Sequence, residues 1–348
     1  LVPGRYTVWI AAKDSSGQIG PRSESVFQML AGPIASLGIL SDYTALKVGD
    51  QTTFTVAGTD TIGNTVMMKS EEIEWSVLVG IGTIDQNGLF TATTAGDGGI
   101  QVKLKADNAV GDSRNLSVFD SPAPIEVGGT ISEHTRWTTI NSPVTITQSL
   151  IVAEGVILTI EPGVEVRFNS GYGLTVHGQL VARGTAQHPI AFMAASGKNP
   201  GSWGSISFSG SSVDAILDTD GNYIDGCLLQ HCLIESGAQG ANGQVVIDSA
   251  LPLIDHCTII NGSTRGIFVN NAKPNLIIRH CTISNNGNMG VNINESNVTL
   301  WGNVISKNTN GGLNATSSTL TLNNNIVADN IDGSGIKVSG GIKVSAGT

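Results

Sequence analysis

Residues 275–293 read NLIIRHCTISNNGNMGVNI. Apolar side chains alternate through Leu276, Ile278, Ile283, Val291 and Ile293, the period of a strand, and a His-Cys pair interrupts them at 280–281. The same pair stands at His231-Cys232 and His256-Cys257. Cys232, Cys257 and Cys281 align with Asn303 and Asn325, in successive steps of 25, 24, 22 and 22 residues. Two residues on stand Ile234, Ile259, Ile283, Ile305 and Val327; three earlier stand Leu229, Ile254, Ile278, Leu300 and Leu322. A Gly-apolar phrase recurs as 266-GIFV-269, 290-GVNI-293, 312-GLNA-315 and 335-GIKV-338. A period of two nested inside one of 22–25 is the pattern of a β-solenoid, whose coils are short strands joined by bends.

In such a solenoid, residues one period apart stack. Cys232, Cys257, Cys281, Asn303 and Asn325 then form one column, and His231, His256, His280, Gly302 and Asn324 the next. Two readings of the paired columns compete. Soft Cys and imidazole ligands could hold a metal, but a stack sets like atoms in a line about 4.8 Å apart, whereas zinc wants convergent ligands. Asn at a sharp bend tolerates the left-handed backbone and can hydrogen-bond along the stack, and Cys is a small buried alternative. The columns are therefore expected to be architecture.

Composition agrees. The chain has 348 residues, of which 13% are charged, 40% are apolar and 44 are Gly. That suits an all-β extracellular protein and is apolar enough to bury a core. A net charge of −10 with no basic cluster argues against nucleic acid and against a polybasic membrane contact. No membrane insertion is expected, because the longest apolar run, 26-VFQMLAGPIASLGIL-40, is short and contains a proline.

Three segments separate. Residues 1–30 give an alternating strand (Tyr6, Val8, Ile10), a Gly-containing turn and a second strand around Ser25–Gln28. This is expected to be the last hairpin of an incomplete immunoglobulin- or fibronectin-like domain. Residues 31–120 carry short alternating stretches such as 52-TTFTVAG-58, 73-IEWSVLV-79 and 100-IQVKLKA-106, the pattern of a small sandwich. The phrases 46-LKVGDQTTFTVAGTDTIGN-64, 74-EWSV-77 and 82-GTIDQNGLFTA-92 resemble the bacterial immunoglobulin-like domains, which implies a spacer or adhesive module. Residues 121–127, with two prolines, are expected to be a linker. Residues 128–348 resemble the right-handed parallel β-helix superfamily of pectate lyases and repeat-bearing surface proteins, through 137-WTTINSPVTITQSLIVAEGVILTIEPGVEVRFNSGYGLTVHGQLVARGT-185 and 203-WGSISFSG-210. At roughly 23 residues a coil this implies about nine coils and a length of about 43 Å. The fold expected is all-β, an immunoglobulin-like β-sandwich followed by a right-handed parallel β-helix.

Two groups could carry chemistry. Asp218, Asp220, Asn222 and Asp225 place oxygen ligands around a Gly in 218-DTDGNYIDG-226, as calcium would want, though without the closing Glu of an EF-hand; a polar turn is the simpler account. Asp255 with Arg265 and Arg279 is the best enzymatic trio, and a solvated ion pair explains it equally. Acids such as Asp248, Glu295 and Asp329 occupy different places in the repeat, unlike the paired acids a hydrolase needs.

The expectation for function is a non-catalytic, extracellular structural or adhesive protein of a surface layer, sheath, fibre or S-layer-like assembly. It would need no cofactor beyond a candidate calcium, and its partners would be itself or neighbouring surface proteins. The alternative is a polysaccharide-active enzyme or a carbohydrate-binding module using the β-helix groove, with polysaccharide as partner. Leu1 opens in mid-motif and the chain ends on 335-GIKVSGGIKVSAGT-348, so a longer or processed polypeptide is expected. Its second GIKVS is expected to fold back, and the 1–30 hairpin to add to a neighbouring sheet edge.

Overall fold

A computed structural model describes residues 4–11, 13, 18–20, 23–29, 32–40, 43–331 and 335–345. It is all-β apart from one short 3-10 turn at Thr139–Asn141, and its contacts divide it into two compact units, Leu1–Asp120 and Ser121–Thr348. Among the described residues no helix is long and apolar enough to cross a membrane.

In the first unit, Gly4–Ile10 pairs antiparallel with Ser23–Met29, a hairpin wider than the alternation alone marks. Its expected Gly-containing turn, at Gly17, lies outside the described residues. Residues 32–120 form sandwich-like sheets, the largest ordered Ala45–Lys47, Asp107–Phe119, Gly96–Leu104, Ile73–Val77. Alternate residues point inward and close a core on Phe54, Trp75, Phe90, Ile100, Val102 and Leu116. Phe54 meets the Phe90 ring edge-on at 6.2 Å. The Asp60 carboxylate accepts from the amides of Gly32, Ile62 and Asn64 and from Asn64 Nδ2 at 2.8–3.0 Å. Burial opposes the charge, but these donors outweigh it and bring its pKa down to about 2.

The second unit is a parallel, right-handed β-solenoid of about nine turns. Each coil offers three strands, and each strand pairs with the third one along, as Leu228–Gln230 with Leu253–Asp255, Cys232–Glu235 with Thr258–Ile260, and Gly243–Asp248 with Arg265–Asn270. These three examples stand on what are here called the first, second and third faces. Ile125–Ile131 already pairs parallel with Val144–Val152, so the solenoid begins within the expected linker, three residues ahead of the expected boundary. The core is a stack of like on like, Val166, Phe192, Ile234, Ile259, Ile283 and Ile305 being one file of fully buried side chains. Each such residue contributes about 1.5–3 kcal/mol on burial.

Corners decide the sequence. At many of them one residue takes a left-handed backbone and the next, a Cys, a small polar residue or an Ala, turns inward. Between the first and second faces the left-handed residues are His231, His256, His280, Gly302 and Asn324, with φ between 48° and 66°. The bend thus sits in the His column, one residue before its expected place at Cys and Asn. Those inward residues form ladders instead: Asn303 Nδ2 donates to Asn325 Oδ1 at 3.0 Å, and Asn303 Oδ1 accepts from the Cys281 amide at 2.9 Å. A second ladder runs Gln244, Asn286, Asn308 and Asn330, each amide side chain donating to the next at 2.9–3.0 Å. It also explains the Gly-apolar phrase, because a Cβ on Gly266, Gly290 or Gly312 would come within 2.9 Å of the Nδ2 of Asn286, Asn308 or Asn330.

The final GIKVS copy does not fold back. Ile336–Ser345 runs on as one strand beside Leu313–Asn323, with Ile336 opposite Leu313 and Ile342 opposite Leu320. A register shift between Thr316 and Ser318 turns the corner, which is why the phrase can repeat after six residues.

Candidate functional site

The outward column of the first face runs Arg183, Gln230, Asp255, Arg279, Trp301 and Asn323, one residue per coil. Its middle is a carboxylate almost withdrawn from solvent, the Asp255 side chain being 2% exposed. Asp255 Oδ2 accepts from Gln230 Nε2 at 3.0 Å and from Arg279 Nη2 at 3.1 Å. Oδ1 lies 2.7 Å from His256 Nδ1 and 3.3 Å from His280 Nδ1. Burial pushes its pKa up, the Arg279 and Gln230 donors and the Arg279 charge pull it further down, and the carboxyl stays below the usual carboxylate range.

The imidazoles stack along the corner, with centroids 4.8 Å apart for His231 and His256 and 4.5 Å for His256 and His280. Trp301 closes the row, 5.5 Å from the His280 ring and 44% exposed. Gly302 ends the imidazoles because a Cβ there would meet His280 Cδ2 at 2.9 Å. Burial, then the neighbouring His256 charge, pulls the pKa of His231 down.

The His and Cys columns, expected to be architecture, face opposite ways. All four thiols are buried and unpaired with one another, and Cys232, Cys257 and Cys281 turn towards backbone carbonyls inside the solenoid. Burial pushes the Cys227 thiol up to about 11. The Asp255, Arg265, Arg279 trio also divides. Arg279 reaches Asp255, but Arg265 belongs to a third-face strand, where it donates to the Asn242 carbonyl and lies over the Phe268 ring.

The acidic loop is the tip of a hairpin, Ile216–Leu217 paired with Tyr223–Asp225. Asp218 accepts from the Asp220 and Asn222 amides and from Asn222 Nδ2, and these bonds, the Asn222 side chain first, lower its pKa. Asp225 Oδ1 is taken by Gln179 Nε2 at 2.8 Å and by the Gly226 amide. Among the described residues, the trio of His, Cys, Asp or Glu with ligand atoms all within 4.8 Å is Asp255, His256 and His280; Asp218, Asp220 and Asp225 make no such trio.

This hairpin lies on the first face. The Ala215 amide donates to the Leu251 carbonyl, Lys273 pairs with Asp214 at 2.7 Å, and Arg183 lies over the Tyr223 ring. Arg279 Nη1 donates to the Gly221 carbonyl at 2.9 Å, so one guanidinium joins the hairpin tip to Asp255. Beneath it is a half-open cavity of about 230 Å³, lined by Ala215, Leu217, Leu251, Pro252, Leu253 and Ile277 among others.

Residues 205–346 match the family model for the right handed beta helix region. The solenoid is a right-handed β-helix. No curated protein matches the chain. Among solved structures, the N-terminal part of the bacterial S-layer protein SbsC is similar at 22% identity, over 34% of this chain and 28% of that one. Its TM-score of 0.21 means the likeness carries no argument. The β-helix scaffold is shared by surface proteins and enzymes, so function must be argued from its side chains.

Proposed function

We propose that this chain is a structural or adhesive component of an extracellular surface assembly, without catalytic activity, its partners being further copies or neighbouring surface proteins. The observation that carries the reading is the pair of internal amide ladders. They tie coil to coil from Gln244 to Asn330 and from Cys281 to Asn325. Repetition in this sequence goes into making a stiff stack, and stiffness is what a rod or spacer needs. The sheets of residues 32–120 fit a spacer of the bacterial immunoglobulin-like kind. Electron microscopy of native material with antibody labelling tests the reading: surface-attached layers or fibres support it, and label confined to the cell interior overturns it.

A second reading has its own observation. Trp301 is exposed on the face that carries the cavity, an arrangement on which a sugar ring could stack. Incubation with pectin or alginate, read at the absorbance of unsaturated products and by reducing-sugar release, separates the two. Product above the level of a heated control favours the polysaccharide-active reading.

Calcium at Asp218, Asp220, Asn222 and Asp225 is supported by the density of oxygen atoms at the hairpin tip. A rise in melting temperature on adding calcium supports it, and a melting temperature unchanged by calcium or EDTA ends it.

A further inference from the structure

We propose that Asn310 is a site of spontaneous covalent modification, its side-chain amide being lost to give aspartate and isoaspartate. The step needs water and no other reactant. The Gly311 nitrogen attacks Asn310 Cγ, its proton leaves with the side-chain nitrogen as ammonia, and a cyclic imide remains. Water then opens the imide at one carbonyl or the other. One product is an ordinary aspartyl link; the other is an isoaspartyl link with one more methylene in the backbone. Either way the corner between the second and third faces gains a carboxylate.

A following Gly has no side chain to block the attack, and Asn87, Asn242, Asn261, Asn286 and Asn310 each precede one. The fold separates these five pairs. An attacking amide must be free, and three are engaged: Gly88 donates to the Asp85 carbonyl at 3.1 Å, Gly262 to Asn286 Oδ1 at 3.0 Å, and Gly287 to the Gly262 carbonyl at 2.8 Å. Asn286 is also fully buried, its own side chain held in the amide ladder. Gly243 stands in a paired strand opposite Arg265. The Gly311 amide differs: among the described residues it meets no acceptor, although the Gly311 carbonyl accepts from Gly290 at 3.1 Å. Gly311 is buried, where an N–H without an acceptor is unfavourable, and the imide has no such N–H. Asn310 is exposed, and its side chain makes one long bond, Nδ2 donating to Asn288 Oδ1 at 3.4 Å. Little therefore holds the amide back from turning onto the Gly311 nitrogen.

The test incubates the native full chain in mildly alkaline buffer and follows each Asn-Gly pair by peptide mapping and mass spectrometry, with fragmentation to distinguish isoaspartate. Asn310 is expected to convert at least tenfold faster than each of the other four. In denaturant the five rates are expected to fall within a few-fold of one another, because the engaged amides are released. Asn310 lies outside the ladders, so Asn310→Ala is expected to keep the circular dichroism of the native chain and to remove most of its early ammonia release. Native rates at Asn261 or Asn286 that match Asn310 overturn the proposal, as does a tenfold lead of Asn310 that persists in denaturant, since sequence and not the fold would then set the order.

Discussion

Asn308 shows what one residue does in this molecule. Its Oδ1 accepts from the amide and the Nδ2 of Asn286, while its Nδ2 donates to the Ile283 carbonyl and to Asn330. Ala in its place leaves the buried Asn286 amide without the acceptor it uses, at a cost of about 1–3 kcal/mol, and removes the side-chain donors to the Ile283 carbonyl and to Asn330. Asn308→Ala is therefore expected to destabilise by about 3 kcal/mol in urea unfolding, whereas exposed Asn310→Ala changes stability by less than about 0.5 kcal/mol. Asp255 makes a pH prediction of definite sign. Its folded pKa is depressed, so its contribution is fully present above the unfolded value near 3.9 and declines as pH falls below it. Unfolding free energies of the native chain and of Asp255→Asn, measured between pH 3 and 7, are expected to converge towards the acid end. The residues of the columns were legible in the sequence because coil length repeats there. Which neighbour takes the left-handed bend was not: Asn is suited both to a bend, as Asn324 is, and to an inward ladder, as Asn325 is.

Strands and hairpins were legible unevenly. Alternation located the coils, but two prolines at 122 and 124 read as a linker although Ile125 opens a paired strand. Arg265 and Arg279 lie close in sequence yet stand on different faces, since a few residues carry the chain round a corner. The bond from Arg279 to the Gly221 carbonyl spans 58 residues and ends on backbone, which leaves no side-chain pattern to find. Burial of the Cys column inside its strands gives a direct prediction. Ellman's reagent is expected to label none of the four thiols in the native protein and all four in denaturant; fast labelling of the native protein contradicts the inward column. In the first unit, Asp60 fastens residues 32–64 through four donors. Its pKa near 2 means that this fastening is complete above pH about 4 and is lost as pH falls towards 2. Asp60→Asn is expected to flatten the acid limb of that unit's melting curve.

At the scale of the whole solenoid, distance should count coils and not residues. Glu165, Ala191, Leu233, Thr258, Thr282, Val304 and Ile326 occupy one outward column of the second face. Six rungs at about 4.8 Å place Glu165 and Ile326 about 29 Å apart, although 161 residues separate them (326 less 165). Spin labels on Glu165→Cys and Ile326→Cys avoid the buried native thiols, and pulsed dipolar spectroscopy reads the separation. The account predicts a narrow distribution near 29 Å, shortening to about 19 Å when the first label moves to Leu233→Cys. A broad distribution, or one that does not shorten with the rung count, would contradict the single file of stacked coils.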